Sequence, residues 1–367
     1  MLDSLDSLDI ARLRPIGLSP VQLQHLARQD IDDPGDHAQL MRITEVQRDA
    51  LHLHDGVHEH PARALPALLA AMDLQADALA VGDWVLAARN AHGQWWASRR
   101  LQPLNQMARR LHDGRDKVTR AVIVSNVDTA VLVMGLDMDF SLRRLERYLA
   151  LVRMAGVAAV VVLTKADLCA DTADRLRSVQ ALLPTDTTAL ALNALGDEAQ
   201  LQLNPWLGEG HTLVLLGSSG AGKSTLTNAL LGHDQQLTGA ARRGDGRGRH
   251  TTTARSLHVT PQGACIIDTP GLRTLRLDGD ASGIGAVFGD VAQLAVACRF
   301  RDCQHGDEPG CAVRDAVQPE RLRNYQKLLR EARRDTLTAL ERRTQVSVWK
   351  TRSRLARAVG KGKRGQD

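Results

Sequence analysis

The stretch Gly217-Ser218-Ser219-Gly220-Ala221-Gly222-Lys223-Ser224-Thr225 constrains the fold of this chain more than any other. It matches G-x-x-x-x-G-K-[ST]. The apolar run Leu213-Val-Leu-Leu216 enters it directly, and the helix-forming Leu226-Thr-Asn-Ala-Leu-Leu231 leaves it. A strand, a glycine turn and a helix in that register predict a phosphate-binding loop at the carboxyl edge of a parallel α/β sheet. Glycines at 217, 220 and 222 let the loop's N–H groups turn inward onto phosphate oxygens, and the helix start adds positive potential. Lys223 is expected on the β- and γ-phosphates and Ser224 on Mg²⁺, with Thr225 beside it. An ordinary Gly/Ser turn is the plainer alternative. The loop does not by itself separate ATP from GTP.

The surrounding motifs bear on that choice. Asp268-Thr-Pro-Gly271 ends the apolar strand Ala264–Ile267. Asp268 there is placed to hold Mg²⁺ through water, and Gly271 to offer its N–H to a γ-phosphate. Thr164-Lys165-Ala166-Asp167 ends the strand Ala158–Leu163. A carboxylate at 167 can accept both N1–H and the 2-amino group of guanine, and adenine would leave that charge unpaired. Lys165 can cover one face of the base. Asn193-Ala194 follows a further strand over 189–192 and is expected at the guanine oxygen. Between phosphate loop and Asp268 lies Gly244-Asp-Gly-Arg-Gly-Arg-His250-Thr-Thr-Thr253. One of its threonines, assigned here to Thr252, is expected on Mg²⁺ only when γ-phosphate is present, which would make the segment a switch. Leu272 stands where many GTPases have a glutamine. It cannot orient water, so His250 is the candidate for that role. The base-reading motif precedes the phosphate loop, the reverse of the usual order. A circular permutation accounts for this, because motif positions depend on strand placement and not on where the chain is cut.

Short β-like pieces at Arg42–Val46, Asp83–Ala87 and Gln94–Ser98 suggest a small barrel before the α/β region, with a helical reading for 62–80. Residues 1–35 read as a polar extension, helix or arm. Met107 to Arg120 reads as a basic linker. Leu142, Leu145, Leu149 and Val152 lie at helical spacing after Ser141. A helix is expected at about 173–183, and the chain after about 285 reads as helical. Cys298-x4-Cys303-x-His305-x5-Cys311 gathers three of the five cysteines with one histidine, a set that suits tetrahedral, structural Zn²⁺. Cys169 and Cys265 read as ordinary buried residues. Net charge is +5, and nine of the last 26 residues are Lys or Arg, a lean toward polyanionic partners. The run Lys350–Arg364 reads equally as a solvated tail or as a phosphate-docking one. No secretory signal or membrane-length apolar run stands out, so a cytoplasmic protein is expected, and with no heptad seam or obvious pairing strand, a monomer.

In combination these motifs, with Ser125-Asn-Val-Asp128, Leu145-Glu-Arg-Tyr-Leu149 and Arg247-Gly-Arg-His-Thr-Thr-Thr253, resemble the RsgA/YjeQ family of circularly permuted, ribosome-associated GTPases. The resemblance covers roughly 80–345. It implies an N-terminal OB-fold barrel (36–115) after the 1–35 extension, a permuted GTPase domain (116–280), a helical zinc-binding domain (281–345) and a basic tail (346–367). It implies GTP hydrolysis in late maturation of the small (30S) ribosomal subunit, with rRNA, GTP and GDP as partners and Zn²⁺ and Mg²⁺ as cofactors. The chain departs from the family pattern at Thr164, where Asn is usual, at Asn193, and across 45–80. Two other classes stay open on sequence: a phosphate-loop ATPase or kinase, and an RNA-binding zinc protein with a vestigial nucleotide site.

Overall fold

The computed structural model describes residues 7–29, 38–47, 50–112, 118–232, 255–269 and 282–336. Strands β1 (Gln39–Gln47), β2 (Ala50–His54), β3 (Glu59–Ala64), β4 (Trp84–Arg89) and β5 (Trp95–Arg100) pair in the order β1-β2-β3-β5-β4, and β4 returns to β1. That ring is a closed five-stranded barrel. β3 and β5 run parallel, and helix α3 (Pro66–Leu74) lies between β3 and β4, as in an OB-fold. Alternation fills it: Met41, Ile43, Leu51, Leu53, Val85, Ala87, Trp95 and Ala97 form one buried cluster. The helical reading of 62–80 is half right, since its first residues belong to β3. β2 and β3 carry too few apolar residues to announce themselves; His52, His54 and Glu59 occupy their non-core positions.

Over the described part of residues 1–35 the helix of the helix-or-arm reading forms, and it is not polar throughout. Helices α1 (Ser7–Leu13) and α2 (Pro20–Ala27) bury Leu13, Ile16, Leu18 and Leu26 against Leu40, Trp84, Leu86 and Leu101 of the barrel. The buried residues follow no regular helical spacing, and Val21 between them is exposed, so a search for periodicity misses them. The segment from Met107 to Arg120, expected as a linker, forms β6 (Gln106–His112), and this pairs antiparallel with β7 (Val118–Ser125). Arginines 109, 110 and 120 hide the strand character, but the ladder satisfies the backbone polar groups whatever the side chains.

The rest is a doubly wound sheet in the order β10-β9-β8-β11-β13-β12. Its strands are β8 (Thr129–Gly135), β9 (Ala158–Thr164), β10 (Thr188–Ala191), β11 (Thr212–Leu216), β12 (Ser256–Val259) and β13 (Cys265–Asp268), all parallel except β12. Continuous apolar runs serve both faces. Val131, Val133, Val160, Val162, Leu213 and Leu215 enter one core, and Leu132, Met134, Val161, Leu163, Val214 and Leu216 the other. Helices α4 (Leu142–Met154), α5 (Thr172–Gln180), α6 (Glu198–Leu203) and α7 (Lys223–Leu231) connect the strands.

The barrel and this sheet are locked together. β1 pairs β12 through Glu45 and Ser256. Arg42, wholly buried, donates to Ile16 O (2.5 Å), Thr212 Oγ1 (2.9 Å), Asn126 O (3.0 Å) and Gly82 O (3.3 Å). Asn126, held at φ 55°, donates to Gly82 O at 2.9 Å and accepts from Leu104 N at 2.8 Å. The Ser125-Asn-Val-Asp128 motif thus serves as the joint between domains.

Helices α8 (Ser282–Val287), α9 (Gly289–Ala295), α10 (Ala312–Ala316) and α11 (Pro319–Thr336) form the C-terminal module. The expected stripe of α11 packs: Leu328 is fully buried, Leu322 nearly so, and Tyr325 and Leu329 lie partly buried against the same core. α11 docks on α4 through a buried polar set. Glu146 accepts from Arg321 and Asn324, and Arg147 pairs Glu331 at 2.6 and 2.9 Å.

Candidate nucleotide site and metal centre

Because β8, β9, β11 and β13 are parallel, the phosphate loop, Thr164-Lys-Ala-Asp167 and Asp268 all emerge at one carboxyl edge of the sheet, where ligands bind in folds of this kind. Direct contacts join the first two. The Thr164 hydroxyl, fully buried, donates to Ala221 O at 2.6 Å. Lys165 Nζ donates to Gly220 O at 2.7 Å and to Asp137 Oδ2 at 2.6 Å. The threonine therefore ties the loop after β9 to the phosphate loop. Asp167 is exposed beside them.

Two glycines of the loop are fixed by geometry. A Cβ on Gly217 would lie 2.3 Å from Val133 O, and Gly222 has φ 94° with Thr164 Oγ1 3.0 Å from a notional Cβ. Ser218 donates to Asp139, Ser219 and Gly220 are exposed, and Ala221 is buried. Lys223 starts α7 and folds back onto Gly217 O (3.0 Å) and Ser218 O (2.7 Å). Burial lowers its pKa, opposed by the charges of Asp268 and Asp139. Ser224 and Thr225 are half-buried in the first turn of α7. Asp268 is 2 % exposed; burial pushes its pKa up to about 6 against the pull of Lys223. Its Oδ1 is buried with no hydrogen-bond partner. An orphaned, buried carboxylate oxygen at this edge of the sheet fits a hydrated divalent cation. Asn193 N donates to Glu198 and its side chain accepts from Leu195 N, which shapes the turn carrying Ala194. His250, Thr252 and Gly271 lie outside the described residues.

Asp137 and Asp139, in the loop after β8, touch the site and escaped the sequence reading. A pair of acids two residues apart at the end of a buried strand is the signal that was available.

The four metal-ligand candidates converge, with all donor atoms within 4.8 Å of one another. Cys298 Sγ lies 3.9 Å from Cys311 Sγ and 3.7 Å from His305 Nδ1, and Cys311 Sγ lies 3.5 Å from His305 Nδ1. Zn–S near 2.3 Å and Zn–N near 2.0–2.1 Å at tetrahedral angles require about 3.8 and about 3.6 Å. The residues fit such an ion. Gln326 of α11 donates to His305 O at 2.8 Å, tying the cluster to the helix that docks on α4. Cys265 is buried and Cys169 half-buried, both apart from the cluster. A groove of about 900 Å³, bordered by Leu68, Met72, Arg99, Arg100 and Arg120, lies between barrel helix and hairpin, away from both sites.

The fold and this edge define a circularly permuted phosphate-loop GTPase. The sequence model of the RsgA GTPase family matches residues 104–278. An ABC transporter model matches 201–359, which takes in the same strand and phosphate loop but omits the motif at 164–167. "Small ribosomal subunit biogenesis GTPase RsgA 2" of Vibrio vulnificus is 44 % identical over 273 residues, covering 73 % of this chain and 76 % of the relative. "Small ribosomal subunit biogenesis GTPase RsgA" of Xanthomonas campestris pv. campestris is 48 % identical over 254 residues, 68 % of each. Among solved structures, YjeQ from Thermotoga maritima superposes with TM-score 0.58 at 22 % identity, covering 80 % of this chain and 98 % of that one. YloQ, a circularly permuted GTPase, gives TM-score 0.54 at 21 % identity, covering 84 % and 100 %. The chain belongs to the RsgA GTPase family.

Proposed function

We propose that this protein hydrolyses GTP in the biogenesis of the small ribosomal subunit, binding the subunit and its rRNA and leaving after hydrolysis. The observation that supports the nucleotide half is the contact of Thr164 and Lys165 with the phosphate loop, which sets the two motifs side by side. The ribosomal half rests on the relatives' names.

In this reading Asp167 accepts the two guanine donors and Lys165 covers the base. Asn193 and Ala194 hold the turn at the guanine oxygen. The backbone from Gly217 to Gly222 cradles phosphates, Lys223 leaves its two carbonyls for the β- and γ-oxygens, and Ser224, Thr252 and Asp268 hold Mg²⁺. The ion supplies charge neutralisation at the transferring phosphoryl group. Gly271 offers its N–H to the γ-phosphate, and His250 orients the attacking water. The Cys298–Cys303–His305–Cys311 cluster holds Zn²⁺ as a structural ion. Hydrolysis is slow alone and faster when the small subunit is bound.

The test is GTP turnover with and without purified small subunits, using Asp167→Asn and His250→Ala. Asp167→Asn should shift preference toward xanthosine nucleotides, because the amide now donates where the carboxylate accepted. Equal competition by ATP in the unmodified protein would overturn the guanine assignment. Unchanged subunit-stimulated turnover in His250→Ala would remove that residue from the mechanism.

A further inference from the structure

The loop Gly135-Leu-Asp-Met-Asp-Phe140 belongs to none of the nucleotide motifs, yet its two acids reach both of them. β8 lies between β9 and β11, so this loop emerges between the base loop and the phosphate loop. Asp137 Oδ2 accepts from Lys165 Nζ at 2.6 Å, and the same nitrogen reaches Gly220 O at 2.7 Å. Asp139 accepts from the Ser218 hydroxyl through Oδ1 and from Gly135 N through Oδ2 at 3.2 Å. Arg144, in the first turn of α4, grips Asp139 at 2.6 Å and so anchors the loop to the helix behind it. Lys165 itself sits at φ 62°, a left-handed conformation that costs a lysine on the order of 1 kcal/mol and needs outside support. Partial burial works against the charge of Asp137, but the bond from Lys165 outweighs it and its pKa lies below the ordinary range.

Resting on the guanine-nucleotide reading above, we propose that Asp137 and Asp139 are positioning residues that clasp Lys165 and the phosphate loop in their bound shape, and so set how long the nucleotide stays. Neither needs to touch the ligand. A loop held in its bound conformation loses less freedom on binding, and in related complexes that saving appears mainly in the dissociation rate. Without Asp137 the Lys165 ammonium keeps only Gly220 O as a partner and is held over the base less firmly. Without Asp139 the Ser218 hydroxyl loses its acceptor and the phosphate loop loosens at its first turn.

The experiment measures release of a fluorescent GDP analogue from the full chain by stopped flow, together with KM, kcat and melting temperature. The variants are Asp137→Ala, Asp137→Asn and Asp139→Ala, with Asp167→Asn in parallel. Asp137→Ala is expected to release GDP roughly tenfold faster, as for loss of a charge-assisted bond, with the loss falling on KM more than on kcat. Asp137→Asn keeps an acceptor for Lys165 and should recover most of it. Release rates within twofold of the unmodified protein for both alanine variants would overturn the inference and leave the two acids as staples of the fold. Guanine preference retained in Asp167→Asn would overturn the site reading itself, and this inference with it.

Discussion

The raised pKa of Asp268 makes a quantitative claim about Mg²⁺. The carboxyl is almost wholly buried and burial lifts its pKa to about 6, with Lys223 only partly offsetting the cost of charge. A cation at this position takes the ionised form, so below the pKa its binding must first expel a proton. The apparent Mg²⁺ affinity of the nucleotide complex should therefore sit on a plateau above about pH 7, fall about twofold at pH 6 and about tenfold at pH 5. The assay is Mg²⁺-dependent retention of a fluorescent GTP analogue across pH 5–8, corrected at each pH for Mg²⁺ binding to free nucleotide. Asp268→Asn should bind Mg²⁺ more weakly and lose the corrected slope. A flat corrected profile in the unmodified protein, or the same slope in Asp268→Asn, would refute the reasoning. In the nucleotide-free protein the same shift has the opposite sense. The folded state holds the extra proton between the ordinary carboxylate value and about 6, so this one group's contribution to stability is present at low pH and lost as pH rises through that window, on the order of 3 kcal/mol.

Removing metal by chelation, or replacing the buried Cys311 with Ser, should unfold the cluster and strip hydrogen-exchange protection from α10 and the start of α11, while β8–β11 keep theirs. Thr164→Val deletes the tie to Ala221 O; at about 1 kcal/mol for a buried hydrogen bond, GTP should bind roughly fivefold more weakly in a direct titration. Arg42→Met leaves Ile16 O, Asn126 O and Gly82 O without that donor at the domain joint, and urea denaturation should register a loss, about 1–3 kcal/mol for each carbonyl left unsatisfied.

What could be read from the sequence follows from how each feature is encoded. The sheet was legible because a strand buried on both faces must be a run such as Ala158–Leu163, whatever its neighbours do. The metal cluster was legible because its ligands lie close in sequence. The barrel's β2 and β3 were not, since strands with one dry face leave only Leu51, Leu53 and Ala62 to mark them. The hairpin of β6 and β7 was obscured for a related reason: its pairing is backbone to backbone, and the arginines on it follow no dry face. Asp137 and Asp139 belong to a third kind. Their role depends on Lys165 and Ser218, 28 and 79 positions away, and no local pattern records that.

The permutation has a consequence for how nucleotide state can travel. With the chain cut between β13 and β8 relative to the usual order, both flanking modules attach at elements that border the proposed nucleotide site. β12 begins three residues after Thr253 and pairs at once with barrel strand β1, so a shift in the segment around His250 is one strand away from the barrel. On the other side, the chain leaving Asp268 leads into α8, which packs on α4, while α11 grips the same helix through Arg321 and Glu331. α4 in turn begins at the loop that holds Lys165 and Ser218. A barrel and a metal module that both engage one large polyanionic partner would then be set relative to each other by the γ-phosphate, through two routes that share no residue. Coupling carried this way predicts that loosening the α4 contacts, as in Arg147→Ala with Glu331→Ala, weakens the nucleotide dependence of subunit binding without weakening nucleotide binding itself. Equal nucleotide dependence in that double variant would leave the route through β12 to carry it alone.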